Sequence, residues 1–293
     1  KYSSPSFLSL LPVPFVWGPV AGGESAPSEF WQDFSWRAKV YEIARNLARF
    51  LGELDPFVRL TAKKSTLIQA TTEETAQQLY KMGVNDVEVV PAIGLPEEDI
   101  NFLSEYSIPD GNNIRFISIG RLLHWKGFHL GLRAFASANL PNAEYWILGD
   151  GAEFNQLQIL AEYLGIAQRV KFWGKLSREE TFTKLKDCHV LVHPSLHDSG
   201  GWVCLEAMAA GRPASCLDLG GPAVQVTPDT GFKVKASNPK EAVKDIAKAM
   251  TQLVTNPQMR IHMGEASRKL VRETYSWEAQ GKRLSQLYKQ IIN

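Results

Sequence analysis

The sequence predicts an α/β protein built on parallel, doubly wound sheets, and three observations carry that expectation. Through the second half of the chain, apolar runs alternate with helical patterns at regular spacing. The runs are Arg115–Ile119, Glu144–Leu148, Val170–Trp173, Cys188–His193 and Ala214–Leu217. Four of these five lead into segments with glycine or charge within a few residues, which suits a polar ligand at the carboxyl ends of an open sheet. The length, 293 residues, sets a prior of about two domains. A boundary is expected at Ile93-Gly94-Leu95-Pro96, giving domains at 1–95 and 96–275 and a final helix at 276–293.

The stretch Val190–Pro213, VLVHPSLHDSGGWVCLEAMAAGRP, organises the rest. Cys188–His193 ends in three apolar residues before histidine and stops at Pro194, the pattern of a buried parallel strand. Pro194, Ser195, Ser199, Gly200 and Gly201 break regular structure. From Trp202 or Val203 an Ala-rich run leads to Gly211, with Pro213 beyond, so a helix with a glycine stop is expected. Strand, glycine loop and helix in that order put bare backbone and unpaired N–H groups where an anion can approach.

Glu206 is expected in the first turn of that helix, and Asp198 lies in the loop eight residues earlier. Each alone has an ordinary explanation: Glu206 would complement the helix dipole, and Asp198 would cap the helix. Together, around Gly200–Gly201, they suggest sugar hydroxyls on either side of a bound phosphate, the description of a nucleotide sugar.

On these residues the chain resembles the family 4 glycosyltransferases, which have the GT-B fold. PSLHDSGGWVCLEAMAAGRP is similar to their Glu-x7-Glu signature, with Asp198 where the family has its first glutamate. The resemblance implies that Glu206 holds the donor ribose and that Asp198 lies at the donor sugar. It makes Ser199, Gly200, Gly201, Trp202 and Val203 donor-binding residues. It is specific over about 114–275. It is weaker over 14–95, where GPVAGGE resembles N-terminal domains of bacterial polysaccharide-type members.

The tip after Arg115–Ile119 reads Gly120-Arg121, then Lys126-Gly127 just before an expected helix. Loop cations are usually only solvated, but two beside a helix start could clamp a diphosphate, Arg as a fork and Lys as a point charge. The resemblance implies the clamp, because G-R-x4-K-G holds the donor diphosphate in the family. Arg121, Lys126 and Asp198 are therefore the candidate catalytic residues, the cations stabilising charge on the leaving phosphate. Lys175 and Leu176 match the family's loop along the base. Gly149-Asp150-Gly151 alone is weak, and no third glycine completes a dinucleotide fingerprint.

The first 95 residues read less regularly. Residues 2–23 carry no charge, but Pro5, Pro12, Pro14 and Pro19 exclude a spanning helix. A short helix at about 5–11, a buried strand over Pro14–Trp17 and a glycine loop are expected. An amphipathic helix is expected from Phe30 to Leu54, with Phe30, Phe34, Val40, Ile43, Ala44, Leu47, Phe50 and Leu51 as its core face. Trp31, Trp36, Arg37, Lys39, Arg45 and Arg49 decorate the rest, and a membrane-surface helix is the alternative. A strand at Ser65–Ala70, a helix at Glu73–Met82 and a strand at Val87–Pro91 follow. After Ala236, helices are expected from Asn238-Pro239 to about Leu253, from Pro257, and from Ser276-Trp277 to near Ile292. The last crosses back onto the N-terminal domain, as the resemblance implies. No histidine precedes His124, and no strand–glycine loop–helix unit precedes GPVAGGE. The resemblance then implies an incomplete N-terminal domain, and a chain that binds donor without turning it over.

The composition, 44% hydrophobic and 22% charged, is ordinary for a globular protein, and a net charge of +1 gives no case for nucleic acid. Cys188, Cys204 and Cys216 are odd in number and form no C-x-x-C, which argues against disulfides or zinc and fits a reducing cytoplasm. The pairs His124/His129 and His193/His197 lack further clustered ligands, and no D-x-D motif occurs, so no metal or other cofactor is expected. The full expectation is GT-B, two Rossmann-like doubly wound domains with the N-terminal one truncated. The expected activity is retaining transfer of a sugar from a nucleotide sugar, UDP-linked, to a glycan or lipid-linked acceptor in polysaccharide biosynthesis. It would take place in the cytoplasm or at the inner face of the membrane. A nucleotide-sugar-binding fragment without turnover and a GT-B epimerase are the alternatives.

Overall fold

A computed structural model describes residues 1–107, 109 and 113–292. A three-stranded sheet comes first, built from β1 (Val16–Val20), β2 (Leu67–Ala70) and β3 (Glu88–Val89), paired in that order. Helices α1 (Trp36–Leu54) and α2 (Pro56–Lys64) join β1 to β2, and α3 (Glu73–Lys81) joins β2 to β3. After α4 (Glu97–Ser104) comes a six-stranded sheet of order β6-β5-β4-β7-β8-β9. Its strands are β4 (Ile114–Ile119), β5 (Ala143–Leu148), β6 (Val170–Gly174), β7 (Val190–His193), β8 (Ala214–Leu217) and β9 (Gly231–Val234). Helices α5 (Phe128–Ala138), α6 (Phe154–Tyr163), α7 (Arg178–Asp187), α8 (Trp202–Ala209) and α9 (Gly220–Gln225) link successive strands. Then come α10 (Pro239–Thr255), α11 (Pro257–Leu270) and α12 (Trp277–Ile292).

Every strand pair in both sheets is parallel. β7 and β8 are buried at every position, because helices cover both faces of the larger sheet. The strand order turns back between β4 and β7, so the loops leaving those two strands flank the switch point where open α/β sheets bind ligands.

Several boundaries differ from expectation for local reasons. The expected helix at 5–11 is a single 3-10 turn at Phe7–Leu10, and the first strand is Val16–Val20 rather than Pro14–Trp17. Phe30–Leu54 is not one helix. A 3-10 turn at Ser28–Asp33 precedes α1, and the Ser35 hydroxyl starts α1 by accepting the Ala38 N–H at 3.3 Å. Val87–Pro91 shortens to Glu88–Val89.

The expected core face of α1 is also reversed. Val40, Ile43, Leu47, Phe50 and Leu51 are each more than half exposed, whereas Ala38 and Glu42 are buried. The inward side is polar because it finds polar partners. Arg45 and Arg49 donate to the carbonyls of Glu24 and Gly23, and Asn46 accepts from Ser25. At its N-terminal end the same segment joins the larger core: Ala26, Phe30, Phe34 and Ala38 pack with Phe116, Phe128 and Phe135. Thus α1 bridges the glycine loop after β1 and the larger domain. At the far end, α12 returns to the first sheet, where Arg283 pairs with Glu88. Among the described residues no helix is long and apolar enough to cross a membrane.

Candidate functional site

Two loops meet at the switch point. The first leaves β4 through Gly120 and Arg121, makes a 3-10 turn at His124–Lys126, and enters α5 through Gly127. Gly127 sits in the left-handed region at φ 66°, and a Cβ there would lie 1.9 Å from the Pro194 carbonyl oxygen. Only glycine allows that approach. The second loop, from Pro194 to Gly201, is stitched to the first. The Leu196 N–H reaches the Trp125 carbonyl at 2.8 Å, and the Ser195 hydroxyl donates to the same oxygen.

Asp198 is the knot of this junction. One carboxylate oxygen lies 2.5 Å from Lys126 Nζ and 3.3 Å from His193 Nε2. The other accepts the N–H groups of Gly200 and Gly201 at 3.2 and 3.1 Å. Burial alone would raise this carboxyl, but His193 and Lys126 outweigh it and hold the group well below the ordinary carboxylate range. Asp198 thus shapes the turn rather than capping α8.

The cap of α8 is Gly201, at φ 69°, and among the described residues no side chain caps the helix, which leaves its first amides for an anion. The glycine turn is held from behind. Gln225 donates to the Gly200 carbonyl, and the Gly221 N–H reaches the Asp198 carbonyl at 2.7 Å. From the first turn of α3, Glu74 accepts the Gly220 N–H at 2.8 Å.

Glu206 falls in the second turn of α8, not the first, because the helix begins at Trp202. One oxygen lies 3.5 Å from Arg178 Nη2, and Arg178 also pairs with Asp99 at 2.6 Å. Burial raises the Glu206 carboxyl, and Arg178 only partly offsets this.

Arg121, Lys175 and Leu176 come together with Gly120 and Gly149–Gly151 around an open cleft of about 370 Å³. Arg121 is exposed and makes no side-chain hydrogen bond or ion pair among the described residues. Lys126 instead turns to Asp198, so the two cations serve different neighbours and no closed clamp is formed. Ser199 and Val203 are half-buried beside the glycine turn, and Trp202 is 43% exposed. Gln225 and Arg178 are the contributors that sequence reasoning missed. Arg178 sits just past the Lys175-Leu176 loop and is visible in retrospect, whereas nothing near Gln225 announces it. Among the described residues no three His, Cys, Asp or Glu side chains gather in a metal-binding arrangement. His124 and His197 turn to Glu42, and His129 lies 3.7 Å from Asp33.

Two parallel sheets, with glycine loops and an uncapped helix start at the switch point of the larger one, define an α/β protein of the GT-B type. The chain belongs to the family of glycosyl transferases group 1, whose model matches residues 100–270. It is 29% identical over 221 residues to the uncharacterized glycosyltransferase MJ1607 of Methanocaldococcus jannaschii, covering 75% of this chain and 55% of that one. Among solved structures it resembles sucrose-phosphate synthase from Thermosynechococcus elongatus, with a TM-score of 0.66, 22% identity and coverage of 89% and 64%. It also resembles the pneumococcal O-GlcNAc transferase GtfA in complex with UDP and GlcNAc, with a TM-score of 0.62, 16% identity and coverage of 80% and 47%. The chain spans about half the length of the curated relatives it matches.

Proposed function

We propose that the chain binds a nucleoside-diphosphate sugar, UDP-linked, at the carboxyl ends of β4 and β7, and serves retaining transfer of that sugar to a glycan or lipid-linked acceptor. The observation that carries this reading is the Gly200–Gly201 turn, held by Asp198 and Gln225 at the uncapped start of α8. A diphosphate there would meet helix amides, and Lys126 keeps N–H groups to spare beyond the one on Asp198. Arg121 would reach it from the adjoining cleft. Positive charge from the helix start and two side chains makes a divalent metal unnecessary for donor binding in this reading. Glu206 would accept from the ribose hydroxyls, and the loop at Lys175-Leu176 would lie along the base. The UDP in the complex of the similar pneumococcal structure makes a uridine nucleotide the first to test.

A lipid-linked acceptor is favoured by the exposed apolar side of α1, which carries Trp36, Ile43, Leu47 and Phe50 beside Arg37 and Lys39. A thermal-shift screen of UDP, GDP, ADP and their sugars tests the donor assignment. A true ligand at about 100 times its dissociation constant adds about 2.7 kcal/mol of stability. UDP should shift the melting temperature most, and no shift with any nucleotide would overturn the reading.

A further inference from the structure

Glu42 is a carboxylate that the donor site does not use, and its surroundings are unusual. Its side chain is fully buried, although it lies on α1, whose leucines and isoleucine face outward. One oxygen lies 3.0 Å from His124 Nε2 and 3.4 Å from His197 Nε2. The other has no hydrogen bond among the described residues, and Arg45 Nη1 is 3.8 Å from it. Burial would raise this carboxyl, but the bonds to His124 and His197, with Arg45 nearby, outweigh that and hold it at about 2. The carboxylate is therefore ionised at neutral pH.

The two histidines come from different loops. His124 is two residues before Lys126, and His197 is the residue before Asp198. Aromatic rings hold both in place around the carboxylate. Tyr41 stacks on Trp125 at 5.1 Å, Trp125 stacks on His197 at 5.3 Å, and Phe34 meets the His124 ring edge-on at 4.8 Å. A buried carboxylate with two imidazole partners is costly to leave unpaired, so the histidines must stay where it is.

We propose that Glu42 is a positioning residue of the donor site: it ties the His124 and His197 loops to α1 and so keeps Lys126 and Asp198 at pairing distance beside the glycine turn. Because the same helix grips the Gly23–Ser25 loop through Arg45 and Arg49, α1 transmits the placement of the first sheet to the donor loops. The consequence for nucleotide affinity rests on the proposed function. The consequence for the loops does not.

The test uses the full chain and two readouts. Acetylation of Lys126 by a soluble acylating reagent, followed by mass spectrometry, reports its pairing with no ligand present. Glu42→Ala should label Lys126 at least threefold faster, with exposed Lys171 unchanged. Glu42→Gln, whose amide oxygen still accepts an imidazole N–H, should restore most of the protection. His197→Phe keeps the stack on Trp125 but loses one bond, and it carries the test if Glu42→Ala does not fold. Calorimetry should show Glu42→Ala binding UDP about tenfold more weakly, with uridine affected less than twofold. Equal Lys126 labelling in all variants, or faster labelling of every lysine, overturns the proposal. If the wild type binds no nucleoside diphosphate, the proposed function falls and the labelling still decides the role of Glu42.

Discussion

Replacing Glu206 by alanine separates what this residue does for the fold from what it does for a ligand. Its one side-chain partner among the described residues is Arg178 at 3.5 Å, whose side chain is 51% exposed. Glu206 itself is only 12% exposed, and burial raises its carboxyl more than Arg178 lowers it, so the charged group adds no net stability and Glu206→Ala should melt within a few degrees of wild type. Ligand binding is a different matter. A carboxylate accepting from ribose hydroxyls contributes roughly 1.5–3 kcal/mol, so UDP affinity should fall about ten- to a hundredfold. Isothermal calorimetry at pH 7, with a melting curve for each variant, measures both. The pH dependence has a definite sign. Burial raises the Glu206 carboxyl, and only the ionised form accepts two hydroxyls at once. Wild-type UDP affinity should therefore weaken as pH falls through that raised pKa, at a higher pH than for an ordinary glutamate, while Glu206→Gln stays flatter. Unchanged UDP affinity in folded Glu206→Ala would refute the assignment.

Three further outcomes follow from the geometry. Gly127→Ala places a methyl 1.9 Å from the Pro194 carbonyl at a positive φ, so it should cost about 1–3 kcal/mol and lower the melting temperature by several degrees; an unchanged melt would contradict the loop packing. Asp198→Asn removes a depressed carboxylate, whose contribution is present in full above its unfolded pKa of about 4 and is lost only as pH falls from there through the much lower folded value. Urea melts should accordingly show a loss of about 2 kcal/mol at pH 7 that shrinks progressively below about pH 4 without vanishing at about pH 3, and a loss that stays constant down to about pH 2 would remove the pairing of Asp198 with Lys126 and His193 as the cause. If α1 meets lipid, wild type should co-sediment with anionic vesicles and Leu47→Glu should not, whereas no sedimentation of either removes the membrane reading.

The larger domain was legible because its signals are local. Short apolar runs bounded by glycine and proline mark β4 to β8, and each tip carries its turn chemistry in consecutive residues. β9, Gly231–Val234, opens on glycine, carries Lys233 and is only partly buried, so no apolar run marks it, and α9 opens on Gly220-Gly221-Pro222, which reads as a turn. The glycine turn and its flanking carboxylates were readable for the same local reason, although the helix starts at Trp202 and so moves Glu206 one turn inward.

What could not be read is tertiary. Helical spacing shows that α1 has two faces but not which one packs. The choice is made by the carbonyls of Gly23 and Glu24 and by His124 and His197, distant in sequence, which bury Glu42 and expose the leucines. The inward turn of Asp198 toward Lys126, 72 residues away, is likewise set by the meeting of two loops.

The central claim is that protein cations and the start of α8 hold a diphosphate. Calorimetry of UDP and uridine against the full chain, in the presence of EDTA, tests it most directly. Wild type should bind UDP at least tenfold more tightly than uridine. Arg121→Ala and Lys126→Ala should each remove most of that difference, a loss of about 1.5–3 kcal/mol for a hydrogen bond to a charged group. UDP binding no tighter than uridine, or UDP binding abolished by EDTA, would contradict the account.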